Sequence, residues 1–143
     1  MNKRNAAKMP RPDSVVTSGV TPASTADADF PIVGIGASAG GLAAFQAFFS
    51  GIPADSHPGM AFVLVQHLSP DHKSILSELI QHHTHLQVLE VVDGMRVLPN
   101  CVYIIPPNRD MAFLNGALHL LEPTAPHGHR LSIDFFFRSL AQD

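Results

Sequence analysis

Residues 30–49, Phe30-Pro-Ile-Val-Gly-Ile-Gly-Ala-Ser-Ala-Gly-Gly-Leu-Ala-Ala-Phe-Gln-Ala-Phe-Phe49, decide how the chain reads. Residues 31–36 are a short apolar run of strand character that passes directly into small residues. From Gly41 onward, Leu42, Phe45, Phe48 and Phe49 recur at helical spacing, and Gly51 and Pro53 close the segment. The order is strand, small-residue turn, helix. Such a unit puts the polar atoms of its turn at the carboxyl end of a strand, the edge where open α/β sheets bind ligands.

The same alternation continues downstream. Ala61-Phe-Val-Leu-Val-Gln66 lacks polar alternation and reads as a strand covered on both faces. Ser69-Pro70-Asp71 then offers an N-cap with proline at the first helical position, opening a helix through Ile75, Leu76, Leu79 and Ile80. Further strands are expected at 86–92 and at 101–105, the latter stopped by Pro106-Pro107. Strands alternating with helices predict an α/β fold, a Rossmann-like doubly wound parallel sheet. Asn115-Gly116 marks a hairpin within 111–121, expected to add an antiparallel ribbon to that sheet. Ser132 reads as the N-cap of a helix through 133–143. No glycine or proline closes that helix, so the fold is expected to be incomplete at its C-terminus.

With 143 residues, 45% of them hydrophobic, the chain is sized for one domain. Residues 1–29 are rich in Pro, Ser, Thr, Ala and Asp and lack aromatics, so they are expected to be a disordered N-terminal tail ahead of a domain spanning 30–143. Nine Lys and Arg against twelve Asp and Glu, for a net charge of −3, form no basic stripe, which argues against nucleic-acid partners. Lys3, Arg4, Lys8 and Arg11 are followed by no apolar core, and no stretch approaches the ~20 apolar residues of a membrane span. A cytoplasmic protein without membrane insertion is expected. The lone Cys101 sits in an apolar run, the setting of a buried inert thiol. The nine histidines, grouped at His82-His83-Thr84-His85 and His127-Gly128-His129, have no cysteine or acidic partners that complete a ligand set. Neither a metal nor a cofactor is expected. Arg109 and Arg130 are weighed as carboxylate-binding residues, against the ordinary reading of surface arginines.

Two patterns overlap in the turn. Residues 34–39 fit the dinucleotide fingerprint G-x-G-x-x-A, and residues 36–40 fit G-x-S-x-G, the turn that raises a nucleophilic serine above a sheet. Dinucleotide binding requires an acidic residue at the end of the second strand, which here ends Val65-Gln66-His67-Leu68; Asp55 falls in the loop before that strand. The nucleophile reading gains from the same residues, because parallel strands bring their carboxyl ends together and so bring His67 toward Ser38. A serine hydroxyl needs an imidazole to take its proton, and the imidazole needs a carboxylate to fix its tautomer. Backbone N–H groups at Ala39 and Gly40 are candidate oxyanion donors, each worth about 3 kcal/mol in such sites. In the plainest alternative Ser38 caps the helix and His67 is a hydrogen-bonded loop histidine. An ordinary α/β-hydrolase fits poorly, since several strands normally precede its elbow and its histidine comes last.

From Phe30 onward the sequence resembles the catalytic domain of chemotaxis protein-glutamate methylesterases. Five phrases carry the likeness: Gly34-Ile-Gly-Ala-Ser-Ala-Gly-Gly41, Val65-Gln-His-Leu-Ser-Pro70, Asp93-Gly-Met-Arg-Val-Leu-Pro99, Val102-Tyr-Ile-Ile-Pro-Pro107 and Ser132-Ile-Asp-Phe-Phe-Phe137. Their wording resembles the form fused to a chemotaxis methyltransferase more than the response-regulator form. The resemblance implies hydrolysis of glutamate γ-methyl esters on chemoreceptor signalling helices, with glutamine deamidation as a related activity. It implies Ser38 as nucleophile and His67 as general base, with a methyltransferase, fused or separate, as functional partner. Ala39 stands where the family often has threonine. The family's catalytic aspartate lies in a Gly- and Asp-containing loop beyond the helix at which this chain stops, and Asp93, Asp110 and Asp134 belong to other family phrases. The expectation is a C-terminally truncated domain with little or no activity, since losing the orienting carboxylate lowers turnover by about 10⁴. Robust ester hydrolysis by the purified chain, abolished by Ser38→Ala, would contradict it. A non-catalytic interaction module of a chemotaxis-like signalling protein is the alternative function.

Overall fold

The computed structural model describes residues 30–38, 40–66, 75–123 and 131–143. In chain order its elements are β1 (Ile32–Ala37), α1 (Gly41–Ser50), β2 (Ala61–Gln66), α2 (Ile75–Gln81), β3 (Gln87–Glu90), β4 (Met95–Arg96), β5 (Cys101–Ile104), β6 (Asp110–Leu114), β7 (Ala117–Leu121) and α3 (Ser132–Gln142). A strand without polar alternation is stable only where both faces are covered, and β2 and β5 accordingly hold the centre of a parallel sheet ordered β1-β2-β5-β3. Phe62, Leu64, Val102 and Ile104 face α1 and α2, meeting Phe45, Phe49, Leu76 and Ile80. Ala61, Val63, Val65, Cys101 and Tyr103 face the other way, toward Met111, Phe113, Leu118 and Phe136 of β6, β7 and α3. Helices thus cover both faces of the parallel sheet, as the alternation predicts. Cys101 is buried within this second core.

The hairpin forms as expected: Asn115 and Gly116 take φ of 51° and 74°, the paired positive values of a two-residue hairpin turn. Its destination differs. Instead of extending the parallel sheet, β6 and β7 join β4 in a separate antiparallel sheet ordered β4-β7-β6, which lies over the parallel one. The physical reason is the one-sided burial of the hairpin, which turns Met111, Phe113 and Leu118 into the core and needs a face to lie on.

Ser132 also differs from expectation. The N-cap position of α3 is Leu131, with no side-chain cap, and Ser132 is the first helical residue. Its hydroxyl donates instead to Asp110 Oδ1 at 2.8 Å. Two more bonds fasten the helix along β6: the Phe113 N–H donates to Ser139 Oγ at 2.9 Å, and the Asn115 N–H to Asp143 Oδ1 at 2.6 Å. Of Phe135, Phe136 and Phe137, only Phe136 is fully buried; Phe135 and Phe137 are 44% and 38% exposed. The Ser69 cap lies outside the described residues. No described helix is long and apolar enough to cross a membrane.

Tyr103 ties the two sheets together. Its ring is buried, its hydroxyl accepts the Leu98 N–H at 2.8 Å, and it donates to the Arg96 carbonyl at 3.4 Å. Burial pushes its pKa from 10.0 to about 12, against the opposing pull of the Leu98 N–H. Below pH 10 folded and unfolded chains both keep this proton; between 10 and 12 the unfolded chain loses it first, so stability falls as pH rises. The chain has one tyrosine and no tryptophan, so tyrosinate absorbance reads this residue alone. We expect Tyr103→Phe to lose about 1–3 kcal/mol at neutral pH, through the orphaned Leu98 N–H, and to lack that part of the alkaline decline. Urea denaturation across the alkaline range checks both; parallel pH profiles for the two proteins would contradict the assignment.

Candidate functional site

The serine turn begins where β1 ends. Six parallel pairs run from Ile32 opposite Ala61 to Ala37 opposite Gln66, so Ser38 emerges, exposed, at the carboxyl edge of the sheet. Its carbonyl accepts the Gly41 N–H at 3.0 Å, closing a four-residue turn straight into α1. Gly40 takes φ 94° and ψ −8°, in the left-handed region where glycine is favoured because a Cβ is strained. A second donor reaches the same carbonyl from the neighbouring strand, Gln66 Nε2 at 3.3 Å. The N-cap of α1 is Gly40, with no side-chain cap, so the reading of Ser38 as a helix cap has no support.

The glycines before the serine have a packing role. A Cβ on Gly34 would meet Phe137 Cε1 at 2.8 Å, and one on Gly36 would meet Ile133 Cγ2 at 2.6 Å. These positions are bare because α3 lies directly on β1. In a dinucleotide fingerprint the second glycine opens room for a pyrophosphate; at Gly36 that room is filled by an isoleucine methyl. Asp55 lies on an exposed loop rather than a strand end. Nucleotide binding therefore loses its structural basis.

Other candidate residues separate cleanly from this edge. Arg109 is paired with Glu122 at the hairpin. Asp93 accepts the Leu120 N–H at 2.9 Å and lies near His119, while Asp110 accepts Ser132. Both carboxylates thus serve the second sheet and its helix. His83 Nδ1 lies 3.0 Å from Ser50 Oγ, and His85 Nε2 lies 2.7 Å from the Ser56 carbonyl, so these two are engaged with the end of α1 and the loop that follows it. Among the described residues no group of His, Cys, Asp and Glu is placed to hold a metal. A shallow depression of about 360 Å³, lined by Ser77, Glu78, Gln81, His82 and Val88, sits beside β3, at the opposite edge of the sheet from Ser38. Ala39, His67, His127, His129 and Arg130 lie outside the described residues.

Sequence reasoning passed over Gln66. The available signal was a single amide ending an otherwise apolar strand.

A family model described as CheB methylesterase matches residues 33–143. The chain belongs to that family. It is similar to a protein-glutamate methylesterase/protein-glutamine glutaminase of Pseudomonas aeruginosa, 34% identical over 115 residues, which cover 78% of this chain and 32% of that protein. A Bacillus subtilis relative of the same name is 29% identical over 147 residues, covering 98% of this chain and 41% of the relative. The chain thus spans roughly a third to two-fifths of the length of these relatives. The crystal structure of the Thermotoga maritima CheB methylesterase catalytic domain superposes with a TM-score of 0.66 at 26% identity, covering 79% of this chain and 61% of that one. The mixed α/β architecture of the CheB methylesterase catalytic domain is therefore the one found here.

Nothing lies within 4 Å of a Cβ built on Gly40 or on Gly59, which has φ 67° on the far side of the domain, so either change to alanine is strained only through its dihedral. We expect Gly40→Ala and Gly59→Ala each to lose about 1 kcal/mol in urea denaturation. An unaffected Gly40→Ala would contradict the turn.

Proposed function

We propose that Ser38 is the nucleophile, and His67 the general base, of a protein-glutamate methylesterase. The observation that carries this reading is the parallel register ending at Ala37 and Gln66 in a CheB methylesterase family chain: Ser38 and His67 are the next residues in sequence after one paired position. The exposed Ser38 at the carboxyl edge of the sheet supports it.

In this reaction Ser38 Oγ attacks the γ-carbonyl carbon of a glutamyl methyl ester while its proton passes to His67. The oxyanion accepts hydrogen bonds from the backbone N–H groups of Ala39 and Gly40, helped by the positive end of α1. Collapse breaks the carbon–methoxy bond, and methanol leaves with the proton from His67. Water then adds to the acyl-serine, His67 takes its proton, and cleavage frees the glutamate carboxylate and restores Ser38. A glutamine side chain follows the same steps with ammonia leaving, in keeping with the second half of the relatives' names. Asp93 and Asp110 are committed to structural bonds, so neither is assigned as the carboxylate that orients His67. The substrates are esters on the signalling helices of chemoreceptors, placed there by a methyltransferase, in a cytoplasmic setting. The unit that carries the reaction begins at residue 30, with 1–29 as a tail.

A serine-directed fluorophosphonate tests the assignment on this chain without requiring a receptor. We expect covalent labelling of Ser38, located by peptide mass spectrometry. It should be absent in Ser38→Ala and at least about a thousandfold slower in His67→Ala. A chain that does not label, yet binds receptor helices, would instead be a non-catalytic interaction module.

A further inference from the structure

Gln66 is the one polar residue of β2, and strand alternation puts it on the same face as Phe62 and Leu64, under α1 and α2. Gln66 is half-buried and its amide is open to solvent, so burial alone does not dictate its partner. Its partner is the carbonyl of Ser38, 3.3 Å from Nε2, and the same oxygen takes the Gly41 N–H at 3.0 Å. Two donors from different elements, one on the neighbouring strand and one at the start of α1, thus converge on a single oxygen. Nε2 also comes within 4.0 Å of a Cβ built on Gly41, so the amide lies over the start of the helix as well as the end of the strand.

A carbonyl held twice fixes more than itself. The carbonyl belongs to the nucleophile's own backbone, so fixing its direction limits how Ser38 itself can turn. We propose that Gln66 is a positioning residue that, by holding the Ser38 carbonyl, fixes the direction in which the turn presents Ser38. The proposal rests on the assignment of Ser38 as nucleophile. Gln66 touches no reacting atom. Without the amide, the Ser38 carbonyl keeps only the Gly41 bond, and Ser38 is held less firmly.

The test compares three variants of the whole chain by the rate of fluorophosphonate labelling at Ser38. Gln66→Met keeps length and apolar bulk but removes the donor; we expect labelling about tenfold slower or worse, together with faster hydrogen exchange of the Gly41 amide. Gln66→Glu sets a carboxylate against the carbonyl at neutral pH, yet once protonated it can donate to the same oxygen. Its rate deficit relative to the unsubstituted chain should therefore shrink as pH falls through the ordinary glutamate range, which a merely structural role would not produce. Gln87→Met, on an exposed position of β3, should label at the unsubstituted rate. Equal rates for Gln66→Met and the unsubstituted chain, or a Gln66→Glu deficit independent of pH, would overturn the positioning role while leaving the nucleophile in place. An unsubstituted chain that fails to label would overturn both. If Gln66→Met does not fold, the pH response of Gln66→Glu still decides.

Discussion

The parallel pairing of β1 with β2 is the constraint on which the rest depends. Its register brings Ala37 beside Gln66 and makes the serine turn and the end of β2 neighbours. A slip of one residue would exchange the faces of a whole strand, taking Gln66 from the α1 side to the α3 side. The packing resists that slip. Gly34 and Gly36 are the two positions of β1 over which Phe137 and Ile133 fit, and moving Val33 or Ile35 beneath α3 would drive branched side chains into those rings and methyls. The loop before β2 adds a backbone bond from the Ala61 N–H to the Pro31 carbonyl at 3.0 Å, setting the start of the pair. Glycines that resemble a nucleotide fingerprint thus act as spacers that hold register.

Much of this was legible in the sequence, because continuous apolar runs and helical spacing are local signals. Ala61-Phe-Val-Leu-Val, Cys101-Val-Tyr-Ile and the Phe45/Phe49 stripe all announce themselves within a few residues. Asn115-Gly116 announced its turn in the same way. What the local pattern could not carry was partnership across distance. β4 is only Met95–Arg96, too short for a periodicity, and it exists as a strand because Met95 finds Leu118. Ser132 looks like a cap because serine precedes a helical stripe; that its hydroxyl turns to Asp110 depends on a residue one hairpin away. That Ser38 lies just beyond a strand end was readable from its turn, whereas the hold of Gln66 on the Ser38 carbonyl appears only when two strands are set side by side.

The second sheet and α3 behave as one body. Ser132, Ser139 and Asp143 meet Asp110, Phe113 and Asn115 in order, so the helix is fastened along the length of β6 before its apolar face is considered. Tyr103 joins that body to the central strand β5 by reaching the backbone around β4, at Arg96 and Leu98. Each of these contacts spends a small polar group on fixing relative position, and the apolar packing of Met111, Phe113, Leu118 and Phe136 supplies the bulk of the attachment.

The cover that α3 provides for β1 has a consequence for how the chain comes to be folded. β1 is roofed by side chains that follow it about a hundred residues later, a long loop to close before the contact repays its entropy. Until α3 has been made, the glycine face of β1 lacks that cover, and apolar surface left open during folding favours association. The strand that leads into the serine turn is therefore made well before its cover.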